Sequence, residues 1–216
     1  MSDVVSLTSS ASKGRSYRGA SQGERSAERR AKLIEAGIAV FGAQGFHTST
    51  VKAVCAEAGL TERYFYESFA NSEDLLLVAY QHAVDGIQRD VITALAAAPQ
   101  TPDGLTRAAL GSYYRAMQAN PPLAKLILIE VLGVSPRIDQ AYRRVLRDFG
   151  LLIRQQQLQV VPEAAAHLDP ELLSAALMGA VVQLAHHWVL SGFEKPLEAV
   201  INCSHAVFKA VAQPTQ

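Results

Sequence analysis

Side chains that can bind bases and phosphates stand close together in one short stretch: Thr61, Glu62, Arg63, Tyr64 and Tyr66. An arginine guanidinium can donate two parallel hydrogen bonds to O6 and N7 of guanine, a contact worth about 1–3 kcal/mol of discrimination against other bases. A glutamate can accept a hydrogen bond from N4 of cytosine or repel other approaches. These residue types indicate a candidate surface for double-stranded DNA, and the chain around them must form its support.

The neighbouring residues predict two short helices joined by a tight turn. Small and apolar residues recur at helical spacing from Val51 to Ala58. Gly59 follows, where a helix end favours a residue that tolerates positive φ, and Thr50 and Thr61 offer hydroxyl groups as N-caps. A helix, a glycine turn and a short helix with a polar outer face form the pattern of a helix-turn-helix motif, whose second helix enters the DNA major groove.

Residues 29–80 closely resemble the N-terminal domain of the TetR-like transcriptional regulators. The features that carry the resemblance occur in order and without gaps: an Ala-rich amphipathic helix ending in Phe41, a Gly45-Phe46 turn, Thr48-x-Thr50, Ala58-Gly59-Leu60-Thr61, Tyr66-x-x-Phe69 and Glu73-x-Leu75-Leu76. Each feature alone is weak, but together they are highly specific. The rest of the chain is similar to the family only in its helical pattern and its length.

The resemblance implies which side chains contact an operator. Tyr66 would donate its phenol to a backbone phosphate, Thr50 and Lys52 would contact phosphates or a base edge, and residues 61–64 would face the groove. The full candidate DNA-binding set is Thr48, Thr50, Lys52, Thr61, Glu62, Arg63, Tyr64, Tyr66 and Ser72.

The sequence departs from many relatives in this region. Tyr64 stands where a small residue is common, Glu67 and Ser68 where an aromatic or histidine pair is common, and Ser72 where a lysine is common. Glu67 therefore adds a charge of the wrong sign for a phosphate surface. Basic and acidic side chains balance across residues 28–72: Arg29, Arg30, Lys32, Lys52 and Arg63 against Glu28, Glu35, Glu57, Glu62 and Glu67. The electrostatic footprint expected of a DNA binder is weak there.

Residues 1–26 are rich in Ser, Gly and Ala and cannot bury an apolar face, so we predict that they are disordered in the free protein. Their basic residues outnumber their acidic ones: Lys13, Arg15, Arg18 and Arg25 against Asp3 and Glu24. Two interpretations remain open: a solvated tail, or a basic arm that follows the phosphates or enters the minor groove beside the recognition helix. Such an arm would supply the charge that the helices lack.

The remaining chain shows helical patterns and no strand-like alternation, which predicts an all-α fold of about nine helices. The predicted boundaries are about 28–43, 51–58, 62–67, 72–98, 103–118, 123–132, 136–160, 171–190 and 197–211, with an Asn120-Pro121-Pro122 break and a loop between Pro162 and Pro170. A three-helix helix-turn-helix domain at residues 27–72 is joined by a long fourth helix to a helical effector-binding and dimerisation domain at residues 73–216. A rigid helix that spans two domains can carry a shift between them.

Helices 8 and 9 are apolar over more than one stripe, which predicts that they are buried on several sides. The family resemblance implies that they pair with their symmetry mates as a four-helix bundle, giving a homodimer. Such a dimer would present two recognition helices to a near-palindromic operator. The alternative is that the two helices only complete the core of a monomer.

The resemblance also implies a cavity among helices 4 to 8 for a small apolar or amphipathic effector. The candidate lining is Tyr80, Tyr113, Met117, Leu126, Ile129, Glu130, Phe149, Ile153, Met178, Leu184 and Trp188. Glu130 follows an apolar run, and a half-buried carboxylate is usually paired or functional. It would either form a salt bridge with Arg143 or Arg147 or hold a cationic effector. His186 and His187 are adjacent and point about 100° apart on a helix, which argues against a metal site.

Composition excludes several classes of protein. The formal net charge is zero, so the whole chain is not a general polyanion binder. Cys55 and Cys203 lie far apart and predict neither a metal site nor a disulfide framework. No continuous apolar run reaches the length of about 18 residues that a membrane span requires, and the N-terminus lacks a signal-peptide core, so we expect a cytoplasmic protein.

No glycine-rich phosphate loop, metal-ligand cluster or Gly-x-Ser-x-Gly motif occurs, and the sequence predicts no enzyme activity and no cofactor. The leading hypothesis is a ligand-responsive repressor that binds its operator as a dimer and is released by an effector. The alternative hypothesis is a ligand-binding or interaction protein on the same fold that has lost specific DNA binding.

Overall fold

The computed structural model describes residues 22–160 and 168–212, and this part of the chain consists of helices with no β-strand. The helices are α1 (Gln22–Gln44), α2 (Val51–Ala58), α3 (Glu62–Ser68), α4 (Ser72–Ala97), α5 (Pro102–Ala119), α6 (Pro121–Lys125), α7 (Pro136–Val160), α8 (Pro170–Leu190) and α9 (Leu197–Ala212). A π-helical turn at Leu126–Glu130 continues α6. The predicted all-α fold is confirmed.

The first three helices form a small domain whose turns follow the predicted caps. The Thr50 hydroxyl accepts a hydrogen bond from the Ala53 N–H at 3.1 Å and so starts α2. Gly59 ends that helix at φ 64°, in the left-handed region that glycine adopts without a steric penalty. Phe65 and Phe69 are buried with their ring centroids 5.8 Å apart, so the inner face of α3 packs into the domain core.

Helix α1 begins at Gln22, six residues before the predicted start, and residues 22–26 are therefore helical rather than part of a disordered arm. The reason is local: this segment contains good helix formers, and Glu24 in the first turn interacts favourably with the helix dipole. Residues 1–21 lie outside the described residues, as does most of the predicted loop after α7, so both expectations stay predictions.

Helix α4 joins the two parts of the molecule. The Asn71 side chain caps it by accepting the Asp74 N–H at 2.9 Å. Leu75 and Leu76 are fully buried near its start, and Val91 is buried near its other end. These residues belong to one continuous apolar core, so α4 is packed along most of its length, as a rigid connector requires.

The Asn120-Pro121-Pro122 segment separates α5 from α6 as predicted, but α6 begins at Pro121 instead of Leu123. Proline is well suited to the first turn of a helix because its missing N–H would have no partner there. Asn120 completes the cap by accepting the Leu123 N–H at 3.1 Å. A Cβ atom added to Gly42 would overlap the Pro122 carbonyl oxygen, so only glycine allows α1 and α6 to approach this closely.

Helix α8 corrects the expectation that no segment of the chain reaches the length and apolarity of a membrane span. By length and composition alone, Pro170–Leu190 is long and apolar enough to cross a membrane, a test that core helices of water-soluble proteins also pass. Here the helix packs against α7 and α9. Leu172 and Leu190 remain exposed, so α8 has an apolar face on the outside as well.

Candidate DNA-binding surface and ligand cavity

The predicted DNA-binding side chains lie on the outside of the helix-turn-helix domain. Thr61, Glu62 and Arg63 are exposed at the start of α3, and Tyr66 is 59% exposed on the same helix. Thr48, Thr50 and Lys52 are also exposed, whereas Tyr64 and Ser72 are half-buried. The short α3 thus presents polar groups outward while Phe65 anchors its inner face.

The two threonines before α2 already have structural partners. Thr48 donates its hydroxyl to the carbonyl oxygens of Gln44 and Gly45. Thr50 accepts the Ala53 N–H and has its own hydroxyl proton still available for an acceptor. Thr61 occupies the predicted N-cap position of α3, but its side chain makes no capping hydrogen bond. Its hydroxyl is therefore open to an outside partner.

Glu67 pairs with Arg63 one turn earlier on α3. The Nε of Arg63 donates to Oε1 of Glu67 at 3.0 Å, and the two side chains are 84% and 43% exposed. The sequence had indicated only that Glu67 was unfavourable near phosphates. The structure shows that its charge is directed at the arginine that faces outward.

Two arginines of α1 stack on aromatic rings of the α3 region. The guanidinium of Arg29 lies 4.4 Å from the ring centroid of Tyr64, and that of Arg30 lies 4.8 Å from the centroid of Phe69. Sequence reasoning missed both contacts because they join residues about 35 to 40 positions apart, beyond any helical spacing. They place two positive charges beside α3.

A cavity of about 40 Å³ lies within the second domain. Its lining is Tyr80, Val84, Ile87, Tyr113, Ile127, Leu128, Tyr142, Val145, Leu146, Phe149, Met178 and Val182. Four of these, Tyr80, Tyr113, Phe149 and Met178, are among the predicted pocket residues. The volume suffices for one or a few water molecules, so a larger ligand requires the lining to move.

The other predicted pocket residues lie elsewhere. Met117, Leu126 and Trp188 are buried in the packed core, and Trp188 Nε1 donates to the Lys195 carbonyl at 2.7 Å. The remaining apolar candidates are half-buried without lining the cavity: Ile129, Ile153 and Leu184. The prediction assumed α-helical spacing, whereas the π-helical turn brings Ile127 and Leu128 to the cavity in place of Leu126 and Ile129.

Glu130 also lies outside the cavity, and the predicted salt bridge with Arg143 or Arg147 is wrong. Its Oε2 accepts a hydrogen bond at 2.8 Å from the backbone N–H of Phe46, a residue in the turn between α1 and α2. The cause is the π-helical turn, whose wider spacing directs the carboxylate to the helix-turn-helix domain. One end of this turn contacts that domain while its middle lines the cavity.

The segment after the π-helical turn, which includes the first residues of α7, holds the start of α4 through two further contacts. Ser135 Oγ donates to Oε1 of Glu73 at 2.8 Å. Arg137 forms an ion pair with Asp74, and this hydrogen bond keeps the pKa of the Asp74 carboxyl below its usual value. Residues 130–137 therefore contact the helix-turn-helix domain and its connection to α4 at three places.

Three tyrosines line the cavity, and no charged side chain among the described residues lines it. Among the described residues, none of the hydroxyl groups of Tyr80, Tyr113 and Tyr142 has a hydrogen-bond partner. Burial raises the pKa of all three phenols, most for Tyr80 and Tyr113, so they stay neutral and keep a proton to donate. The cavity can offer hydrogen bonds to an uncharged oxygen or nitrogen within an apolar wall.

The outer faces of α8 and α9 carry several exposed apolar side chains. Leu172 and Leu190 are 71% and 62% exposed on α8, and Val207 is 37% exposed on α9. Between the two leucines, Ala176 and Gly179 are also exposed, and a Cβ atom added to Gly179 would meet nothing within 4 Å. Small residues between larger apolar ones leave room for a partner helix to approach closely.

Comparisons with known proteins agree with this geometry. Residues 33–79 match the model of the bacterial regulatory proteins of the tetR family. The HTH-type transcriptional regulator HbdR of Aromatoleum sp. (strain CIB) is 27% identical over 79 residues, which are 37% of this chain and 31% of that protein. The present chain therefore spans less than a third of the length of this relative.

Solved structures with the same fold include a fatty acid degradation regulator and a transcriptional regulator, both named FadR. FadR from Bacillus halodurans superposes with a TM-score of 0.75 at 18% identity, covering 83% of this chain and 94% of that chain. FadR from Bacillus subtilis, solved in complex with stearoyl-CoA, gives a TM-score of 0.70 at 17% identity, covering 86% and 99% of the two chains. The chain is TetR-like in its fold and in the sequence of its helix-turn-helix domain, which confirms the resemblance seen in its motifs.

Proposed function

We propose that this protein is a ligand-responsive transcriptional regulator of the cytoplasm. It binds a near-palindromic operator as a homodimer, represses transcription there, and is released when a small apolar or amphipathic effector enters the second domain. The observation that carries the proposal is the capped helix-turn-helix domain, which presents Arg63, Tyr66 and Lys52 outward on a packed core.

The outer face of α8 and α9 supports the homodimer. Its exposed leucines and small residues suit a second copy of the same surface, since a two-fold interface must be complementary to itself. Two chains joined there would each direct an α3 helix to DNA, and the spacing between the two helices would set the half-site spacing of the operator.

The cavity supports the choice of effector class. Its wall has apolar side chains and neutral phenols, so an uncharged group binds there without the desolvation cost of a buried ion. The complex of Bacillus subtilis FadR with stearoyl-CoA is an example of a ligand with a long apolar part on this fold. At about 40 Å³ the present cavity accepts such a part only if it opens.

Opening of the cavity offers a route to the DNA-binding surface. A ligand that displaces Ile127 and Leu128 moves the π-helical turn, and Glu130 at its end holds the Phe46 N–H at 2.8 Å. The turn that contains Phe46 leads directly into α2. Effector binding would thereby change the position of α2 and α3 relative to α4 and release the operator.

A gel shift on the DNA beside the protein's own gene tests the proposal, with a shuffled duplex of the same length as competitor. The wild-type protein should retard the native fragment at a lower protein concentration than the shuffled duplex. Lys52→Ala should weaken binding to all duplexes and make log Kd less dependent on log salt by about 0.9, because one phosphate contact is lost. Lys195→Ala removes an exposed charge near α9 and should change neither quantity. Equal retardation of native and shuffled DNA would favour a ligand-binding protein that has lost specific DNA binding.

A further inference from the structure

The charges of the Arg63–Glu67 pair stand at the wrong ends of α3 for helix stability. Arg63 is the second residue of the helix, where the dipole favours an anion, and Glu67 is the last but one, where it favours a cation. The order is also the less stabilising one, because an acid placed four residues before a base supports a helix better than the reverse. Both side chains are in contact with solvent, Arg63 almost fully, so the pair contributes little to folding. Stability of α3 does not account for it.

The geometry of the pair suits recognition of a base edge. The Nε of Arg63 donates a hydrogen bond to Oε1 of Glu67 at 3.0 Å. The two terminal nitrogens of the guanidinium have no partner among the described residues. Those two nitrogens can donate together to O6 and N7 of guanine. Because the carboxylate restricts the rotamers of a long, flexible side chain, less entropy is lost when the arginine meets the base.

We propose that Glu67 is a positioning residue for DNA sequence recognition: it orients Arg63 for guanine and cancels its charge against non-specific DNA. This inference rests on the proposed DNA-binding function. The neutral pair gains little from phosphates, which all sequences share, and gains from guanine, which only some sequences present. Glu67 thus lowers the affinity for DNA of any sequence and raises the specificity for guanine. This gives a function to a carboxylate that is unfavourable near phosphates.

The test compares three variants on a duplex enriched from random DNA by the wild-type protein, with each base pair of one half-site then changed in turn. Glu67→Gln keeps the size of the side chain and removes its charge. The wild-type protein should prefer guanine at one position by about 5- to 150-fold. Glu67→Gln should reduce that preference several-fold. It should also bind random DNA more tightly, with a salt slope about 0.9 steeper.

Two controls complete the design. Glu28→Gln removes a carboxylate of similar exposure that pairs with Lys32 at 2.8 Å on α1, and it should leave every base preference unchanged. Arg63→Lys keeps the charge but loses the two-pronged donor, and it should abolish the guanine preference at the same position that Glu67→Gln weakens. A melting curve of each variant should match the wild type, since all of the changes are on the surface.

The outcomes separate this inference from the proposed function. A Glu67→Gln protein with the wild-type base preferences, beside an Arg63→Lys protein that has lost one, overturns the positioning role and leaves DNA binding intact. Loss of preference in Glu28→Gln equal to that in Glu67→Gln also overturns it, because the effect would then be general electrostatics. A wild-type protein without preference at any base would refute the proposed function itself.

Discussion

Three tyrosines, Tyr80, Tyr113 and Tyr142, line a cavity that has no charged side chain in its wall within the described part of the chain. Tyr80 and Tyr113 were predictable from the sequence because both stand on apolar helical stripes. Tyr142 was not, because α7 begins with a mainly polar segment and its inner face becomes clear only when α8 is in place. Contacts between distant residues, such as Arg29 on Tyr64, escape sequence reasoning for the same reason.

The buried phenols predict how stability depends on alkaline pH. Burial raises the pKa of Tyr80 and Tyr113 well above the ordinary value of 10.0, and that of Tyr114 to about 12. A group whose pKa is raised by folding stabilises the fold below its ordinary pKa and loses that contribution as pH rises above it. Stability should therefore fall from about pH 10 upward.

Ultraviolet absorbance of phenolate, recorded with helical circular dichroism, measures this dependence. Part of the ionisation of the seven tyrosines should be delayed and should coincide with the loss of helix. The same protein in denaturant serves as the control, with all tyrosines ionising near the ordinary value. Complete ionisation near pH 10 with the helices intact would contradict the burial of these side chains.

Helix boundaries were the most predictable elements, since caps are written in short motifs. Thr50, Gly59 and Asn71 mark the ends of helices as their chemistry indicates. The π-helical turn at Leu126–Glu130 was not predictable, because the apolar run before Glu130 fits either helical period. This one irregular turn contains three of the seven predicted lining residues that lie outside the cavity: Leu126, Ile129 and Glu130.

Glu130→Ala tests the contact between the π-helical turn and the helix-turn-helix domain. The Phe46 N–H loses a charged acceptor at 2.8 Å and becomes open to water. Hydrogen exchange at the Phe46 amide should accelerate on the order of 10-fold, equivalent to about 1.4 kcal/mol of local opening. Glu57→Ala removes an exposed carboxylate of α2 and should leave this amide unchanged. Unaltered exchange at Phe46 in Glu130→Ala would show that the contact does not hold the turn.

At the scale of the whole molecule, one apolar core runs from the helix-turn-helix domain along α4 into the second domain. The apolar character of α8 and α9 was clear from sequence, but its division between core and exterior was not. The structure assigns Leu177, Val181 and Trp188 to the core and leaves Leu172, Ala176 and Gly179 outside. The outer set is the surface that the proposed homodimer would cover.

Ala176→Glu tests that surface. A carboxylate in the middle of an apolar two-fold interface would be buried without a partner and beside its own symmetry mate. Sedimentation should show a dimer for the wild type and dimerisation weakened at least about tenfold for the variant. Gln88→Glu adds the same charge on the exposed side of α4 and should leave the dimer unchanged. A variant as dimeric as the wild type would place the interface elsewhere.

Under the proposed function, two copies of the chain read a specific DNA sequence through α3. Selection of random double-stranded DNA on the purified full-length protein, at a low and a high salt concentration, tests it most directly. We expect an enriched near-palindrome whose affinity falls steeply with salt, because phosphate contacts release counterions. Failure to enrich any sequence at low salt would contradict specific DNA binding and leave the cavity as the functional site of the protein.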